Sequence, residues 1–102
     1  MKLYRKKRIE LVVESACANT IIDMIDAEGA KGYTVVRDVS GKGNRGVRDA
    51  MHLTGLFRNT LIIVVAAEEI ALRIVERSQT LLENYAGIVT LSDVDVVRDE
   101  HF

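Results

Sequence analysis

Proline and tryptophan do not occur in this chain, and cysteine occurs once, at position 17. Without proline, no rigid break divides the 102 residues into linked modules, and the length suits one domain rather than two. A single domain over residues 1–102 is expected. A lone thiol forms no internal disulfide, which excludes a disulfide scaffold and fits a reducing cytoplasm. Aromatic residues make up only 5%, so the core must be aliphatic, and a 48% hydrophobic content is enough to build one. The two histidines, His52 and His101, form no metal-ligating cluster with other residues, so no metal and no catalytic residue is expected. No apolar run approaches the ~18 residues that a membrane span needs. The basic start, Met1 to Arg8, precedes an apolar segment interrupted by Glu10 and Glu14, which does not read as a signal peptide. A net charge of −1 argues against nucleic-acid binding through bulk charge.

Charge is nevertheless unevenly placed. Lys2, Arg5, Lys6, Lys7 and Arg8 crowd one end, and Asp93, Asp95, Asp99 and Glu100 the other. The cations are expected to be a solvated edge.

Periodicity defines the elements. Ile9, Leu11 and Val13 alternate within a strand over 8–13. Ser15 is the expected N-cap of a helix from Ala16 to Glu28, with Cys17, Ile21, Met24 and Ile25 on its apolar face and Gly29 as its stop. A second strand spans Gly32 to Asp38, and a third runs from Asn59 to Ala66. A second amphipathic helix reaches Leu82, opened by Glu68 and Glu69 against the helix dipole. After a turn at Asn84-Tyr85-Ala86-Gly87, strand four covers Ile88 to Leu91, with a short fifth at Val94 to Val97. The order βαββαβ predicts an α+β, ferredoxin-like sandwich: a four-stranded antiparallel sheet, two helices on one face, and a long loop between strands two and three.

The third strand carries a further expectation. If Leu61, Ile63 and Val65 face the helices, Ile62 and Val64 face away, joined by Val12 and Val36. Each such side chain gains roughly 1.5–3 kcal/mol when buried. The helix-free face is therefore expected to be covered by further copies of the chain.

The loop, Val39 to Arg58, is the most informative segment. Gly41-Lys42-Gly43-Asn44-Arg45-Gly46-Val47-Arg48-Asp49-Ala50-Met51-His52 holds three glycines, three cations and one acid. Glycines let backbone N–H groups turn inward around an anion, and arginines grip one with paired hydrogen bonds. The literal G-x-G-x-x-G is not followed by a helical period, so it does not read as a dinucleotide fingerprint. On the residues alone, a flexible surface loop and an anion cradle both fit.

Three segments then point to a family. Gly29-Ala30-Lys31-Gly32-Tyr33-Thr34-Val35, Ser40-Gly41-Lys42-Gly43-Asn44-Arg45 and Asn84-Tyr85-Ala86-Gly87-Ile88-Val89, in this element order, resemble the P-II signalling superfamily of small trimeric regulators. They resemble its P-II-like branch tied to inorganic carbon more than the nitrogen regulators. Those regulators carry a modifiable tyrosine in the loop; here the tyrosines are Tyr4, Tyr33 and Tyr85. Gly87 stands near a lysine that they use, and this loop has no glutamine, which argues against 2-oxoglutarate sensing.

The resemblance implies a homotrimer with adenine nucleotide (ADP or AMP, or ATP) in three inter-subunit clefts. Gly32, Tyr33 and Thr34 are expected near the base, and Gly87, Ile88 and Val89 near ribose and phosphate. Gly41, Lys42, Gly43, Asn44 and Arg45 would approach phosphate from the loop, with Arg98 as a further contact. Bicarbonate is expected beside Ser40, Lys42, Arg45 and Arg58. The implied role is control of inorganic-carbon uptake or carboxysome function, through binding of a transporter or carboxysome protein by residues 39–58. The implied location is the cytoplasm, at the carboxysome or at the periphery of a membrane transporter. The alternatives are a slow ATP/ADP-hydrolysing P-II-like enzyme and a nitrogen-type P-II regulator of a membrane transporter. RNA binding on this fold needs aromatic platforms on the middle strands, and strand three has none.

Energetics limit how such a sensor works. Fixing backbone costs ~1–2 kcal/mol per residue, whereas a micromolar ligand supplies ~8 kcal/mol. A nucleotide alone is expected to order only the base of the loop, and a second anion or a partner more of it.

Overall fold

The computed structural model describes residues 1–41 and 58–102. In chain order the elements are β1 (Tyr4–Glu14), α1 (Ser15–Ala27), β2 (Thr34–Val39), β3 (Asn59–Ala66), α2 (Glu68–Leu81) and β4 (Gly87–Val96), followed by a 3₁₀ turn (Asp99–His101). The sheet is antiparallel, in the order β2-β3-β1-β4. This is the expected ferredoxin-like arrangement, with the two helices supplying the other layer of the core.

Cross-strand register decides which face is buried. Ile9, Leu11 and Val13 of β1 lie opposite Val64, Ile62 and Thr60 of β3. All six are fully buried. They pack under Cys17, Ala18, Ile21, Met24 and Ile25 of α1 and under Ala71 and Ile74 of α2. The buried hydroxyls in this layer are satisfied. The Thr60 hydroxyl meets the Ser15 hydroxyl at 2.8 Å, and the Ser78 hydroxyl donates to the Ile74 carbonyl at 2.7 Å. Burial pushes the Cys17 thiol up, and it donates to the Glu14 carbonyl at 3.2 Å. It is a packed core group rather than a nucleophile.

Three expectations are corrected. First, Ile62 and Val64 face the helices, while Leu61, Ile63 and Val65 lie on the open face. Val12 and Val36 do lie on that face, opposite Leu61. An uninterrupted apolar run has no parity of its own, so the partner strand sets it. Second, Ser15 does not cap α1. The cap position is Glu14, without a side-chain cap bond, and Ser15 is the first helical residue, its hydroxyl turned to Thr60. Third, the expected fifth strand is the lower half of β4, which pairs with β1 continuously from Gly87–Val13 to Val96–Tyr4. β1 is correspondingly longer than its apolar alternation, starting at Tyr4.

The segregated charges explain that length. Arg5 pairs with Asp95 at 2.8 Å, Lys7 with Asp93, and Lys6 with Asp99 at 2.7 Å. The N-terminal cations and C-terminal acids form a ladder across β1 and β4, rather than a cationic edge facing solvent alone. Gly29 ends α1 with φ +91°, a left-handed conformation that suits glycine. Glu28 then receives Arg73 at 2.9 Å and Arg77 at 2.7 Å, tying the end of α1 to α2.

Candidate functional site

The expected ligand-binding residues fall in three places, and one subunit does not bring them all together. Gly32 and Tyr33 are exposed on the chain entering β2, and Thr34 is the first residue of that strand. Gly87, Ile88 and Val89 open β4. β2 and β4 are the two edges of the sheet. The segments are nonetheless level. Thr34 lies in one register row with Ile63, Glu10 and Thr90, Val35 with Ile62, Leu11 and Val89, and Val36 with Leu61, Val12 and Ile88. Three strand spacings separate the two edges, about 14 Å.

The third group is the base of the long loop. β2 bulges between Arg37 and Val39, and Asp38 has φ +57°, a left-handed conformation tolerated better by Asp than by branched residues. The Asp38 carboxylate reaches Arg58 at 3.6 Å, so the outgoing and returning stems are bridged. Ser40 and Gly41 follow Val39 and are exposed. Lys42, Gly43, Asn44 and Arg45 lie outside the described residues, as does most of the expected partner-binding segment 39–58.

Arg98 lies just beyond β4, at the far end of that strand from Gly87. The chain after it returns across the sheet. Asp99 is held by Lys6, whose hydrogen bond keeps the Asp99 carboxyl below the usual range. Lys31 donates to the Glu100 carbonyl at 3.2 Å. The tail is thereby tied to the segment that carries Gly32 and Tyr33.

Two features near these groups were not singled out from sequence. Asp38 is one; the signal was an acid inside a run of β-formers just before the loop. Glu14 is the other. It is only 5% exposed, and it forms a reciprocal pair with Ala86, its N–H donating to the Ala86 carbonyl at 3.2 Å and its Oε2 accepting the Ala86 N–H at 3.1 Å. The pair sets the turn that delivers Gly87. Gly87 itself is exposed, but its side-chain position is crowded: a Cβ there would stand 3.0 Å from both Leu82 methyl carbons and 3.3 Å from Val13 Cγ1.

On the open face, Val36, Leu61, Val12 and Ile88 form an apolar row across all four strands. Val36 is 42% exposed and Ile88 60%. The rows beyond it mix Ile63 and Val65 with polar residues, and Arg8 and Glu10 pair there at 2.7 Å. Among the described residues no group of His, Cys, Asp and Glu is arranged to hold a metal ion, and no helix is long and apolar enough to cross a membrane.

Together these features define a ferredoxin-like domain whose expected ligand segments are split between the two edges of its sheet. The P-II family, described as nitrogen regulatory protein P-II, matches residues 6–101. The chain belongs to that family, as a PII-like protein of the CPII branch. CPII from Thiomonas intermedia K12, solved with ADP, AMP and acetate, is 31% identical, with 100% of this chain and 98% of that chain covered and a TM-score of 0.83. CPII from the same organism, solved with ADP and bicarbonate, is 32% identical over 99% of this chain and 97% of that one, with a TM-score of 0.84. A protein provisionally named as PII-like signalling, from Thermus thermophilus, is 31% identical over 98% and 97%, with a TM-score of 0.77. The resemblance read from the three sequence segments is thus borne out.

Proposed function

We propose that this protein is a trimeric signalling regulator that binds ADP or AMP in clefts between subunits and bicarbonate beside the long loop. The observation that carries the reading is the level placement of Thr34–Val36 and Ile88–Thr90 on opposite edges of one sheet. Neighbouring subunits arranged as a ring can set the β2 edge of one against the β4 edge of the next. Each cleft then joins two half-sites that no single subunit holds together. The apolar row Val12, Val36, Leu61 and Ile88 supports the same assembly, since it loses water when copies meet. The ligands of the CPII relatives support the choice of adenine nucleotide and bicarbonate.

In this reading Gly32, Tyr33 and Thr34 meet the adenine. Gly87, Ile88 and Val89 offer backbone groups to ribose and phosphate, and Arg98 offers a guanidinium. Gly41, Lys42, Gly43, Asn44 and Arg45 approach phosphate from the loop. Ser40, Lys42, Arg45 and Arg58 hold bicarbonate. The Asp38–Arg58 pair is exposed, 65% and 64%, and such pairs are worth ~0–1 kcal/mol, so a bound anion can compete for Arg58. Ligand occupancy sets the loop, and the loop recruits a protein of inorganic-carbon uptake or of the carboxysome, in the cytoplasm. The role is that of a sensor rather than an enzyme.

The test is calorimetric titration of ADP, AMP and bicarbonate, with light scattering for mass. A trimer that binds ADP, and whose bicarbonate affinity rises at least severalfold at saturating ADP, is expected. Equal bicarbonate affinity with and without ADP would refute the coupling, and a monomer giving no heat with any adenylate would refute the whole reading.

A further inference from the structure

The β1–α1 junction holds two of the three candidate ligand segments of one subunit, the Gly87 turn and the loop stem at Arg58, through two consecutive residues. Glu14 grips the turn ahead of β4 through its reciprocal pair with Ala86, at 3.2 and 3.1 Å. Ser15, the next residue, donates its backbone N–H to the carbonyl of Arg58 at 2.7 Å. Arg58 is the last residue before β3 and carries the returning stem of the long loop. No loop separates the two grips, because β1 ends at Glu14 and α1 starts at Ser15.

The junction is also stiff. Glu14 is 5% exposed, and the buried Cys17 thiol donates back to its carbonyl at 3.2 Å. The Ser15 hydroxyl meets that of buried Thr60, two residues beyond Arg58. The first N–H groups of a helix have no partner inside it, so the Ser15 N–H is free to serve the loop stem.

We propose that Glu14–Ser15 is a positioning pair that couples the Gly87 turn to the loop stem at Arg58 within each subunit. A phosphate-bearing ligand on the Gly87–Val89 backbone draws on the turn that Ala86 anchors. Glu14 and Ser15 pass that displacement to the Arg58 carbonyl, and so to the guanidinium beside Asp38. This inference rests on the nucleotide reading above and adds the path by which occupancy is felt at the loop.

Backbone chemistry permits a clean test. Ser15 is the first helical residue, where proline is well tolerated. Glu14 has φ −57° and ψ 133°, the extended conformation that a following proline requires. Ser15→Pro therefore keeps the helix start but removes the N–H donated to Arg58, and its ring Cδ pushes away the Arg58 carbonyl that stood 2.7 Å from that nitrogen. Ser15→Ala is the reference, since it lacks the hydroxyl but keeps the N–H. Calorimetry measures bicarbonate affinity with and without saturating ADP in the parent and both variants. In the parent, the ratio is expected on the order of fivefold or more. It should fall toward one in Ser15→Pro relative to Ser15→Ala, while ADP affinity in the absence of bicarbonate agrees between the two variants. A purely structural role would weaken ADP binding and leave the ratio, and an unchanged ratio in Ser15→Pro overturns the proposal.

Residue-resolved amide exchange on the parent provides a second measurement that needs no variant. Saturating ADP should slow exchange at the amides of Ala86, Glu14 and Ser15 together. Slowing at Ala86 with none at Ser15 sinks the link even if Ser15→Pro fails to fold. A parent that binds no ADP removes the nucleotide reading and this inference with it, whereas a parent that is coupled through an unchanged Ser15 amide removes the inference alone.

Discussion

Gly87 carries two demands that no other residue type meets at once. Its backbone opens β4 where a ligand is proposed to lie, and its missing side chain lets the turn close on Leu82. A methyl at this position would stand 3.0 Å from both Leu82 methyl carbons and 3.3 Å from Val13. Leu82 packs against the core, so it yields by repacking rather than by swinging into water. Gly87→Ala should therefore cost about 1–3 kcal/mol, the usual range for overpacking. A urea titration checks this through the unfolding midpoint. A midpoint equal to that of the parent would mean that the turn has room to spare and that glycine is there for another reason.

At the scale of elements, the helices are held to each other by charge as well as by packing. Glu28 closes α1 onto α2 through Arg77 and Arg73, and their hydrogen bonds hold its carboxyl below the usual range. Asp93 and Asp99 are lowered in the same way, by Lys7 and Lys6 across the β1–β4 edge. A carboxyl lowered on folding contributes stability above its unfolded pKa, about 4 for Glu and Asp, and that contribution is lost as pH falls through the lower folded value. Stability should thus decline on acidification below about pH 4–5. Glu28→Gln should lose part of that decline, with little further change between pH 7 and pH 5. Denaturation midpoints at pH 7, 5 and 3 decide it, and a Glu28→Gln profile parallel to the parent's would show that the helix clamp is not an acid-sensitive tie.

The same elements show what a single sequence reveals. β3 runs from Asn59 to Ala66 as read from composition, because its polar and small flanking residues mark both ends. Its facing was unreadable: five apolar residues in succession carry no alternation, and only the pairing of Leu11 with Ile62 fixes it. Ser92 and Asp93 read as a break within β4, yet Asp93 is drawn into the strand by Lys7, more than eighty residues away. Ser15 reads as a cap from its local sequence, whereas its hydroxyl meets that of Thr60. Local signals were legible, and long-range partners were not. The proposed ligand segments, Gly32–Thr34 and Gly87–Val89, come from the family resemblance of their flanking motifs rather than from composition, since Ile88 and Val89 are as aliphatic as the core. Their separation onto two edges follows only from the strand order.

That separation makes the assembly and the site one question for the whole molecule. If the two half-sites come from different copies, a change that touches neither half-site but keeps the copies apart must still abolish binding. Leu61 allows this. It lies at the middle of the apolar row, between Val36 and Val12, on a strand that bears none of the proposed adenine or phosphate contacts. It is half-buried within the subunit, so Leu61→Asp should leave a folded chain with parent-like far-UV circular dichroism. In an assembly the same carboxylate meets apolar neighbours without a partner, and the lost burial is roughly 1.5–3 kcal/mol in each copy before that desolvation is counted. Light scattering should then find monomers, and calorimetry should find ADP affinity reduced by tenfold or more. A monomeric Leu61→Asp that binds ADP as the parent does would place the complete site in one subunit and break the argument from the two edges. An assembled Leu61→Asp would show instead that the apolar row is not where the copies meet.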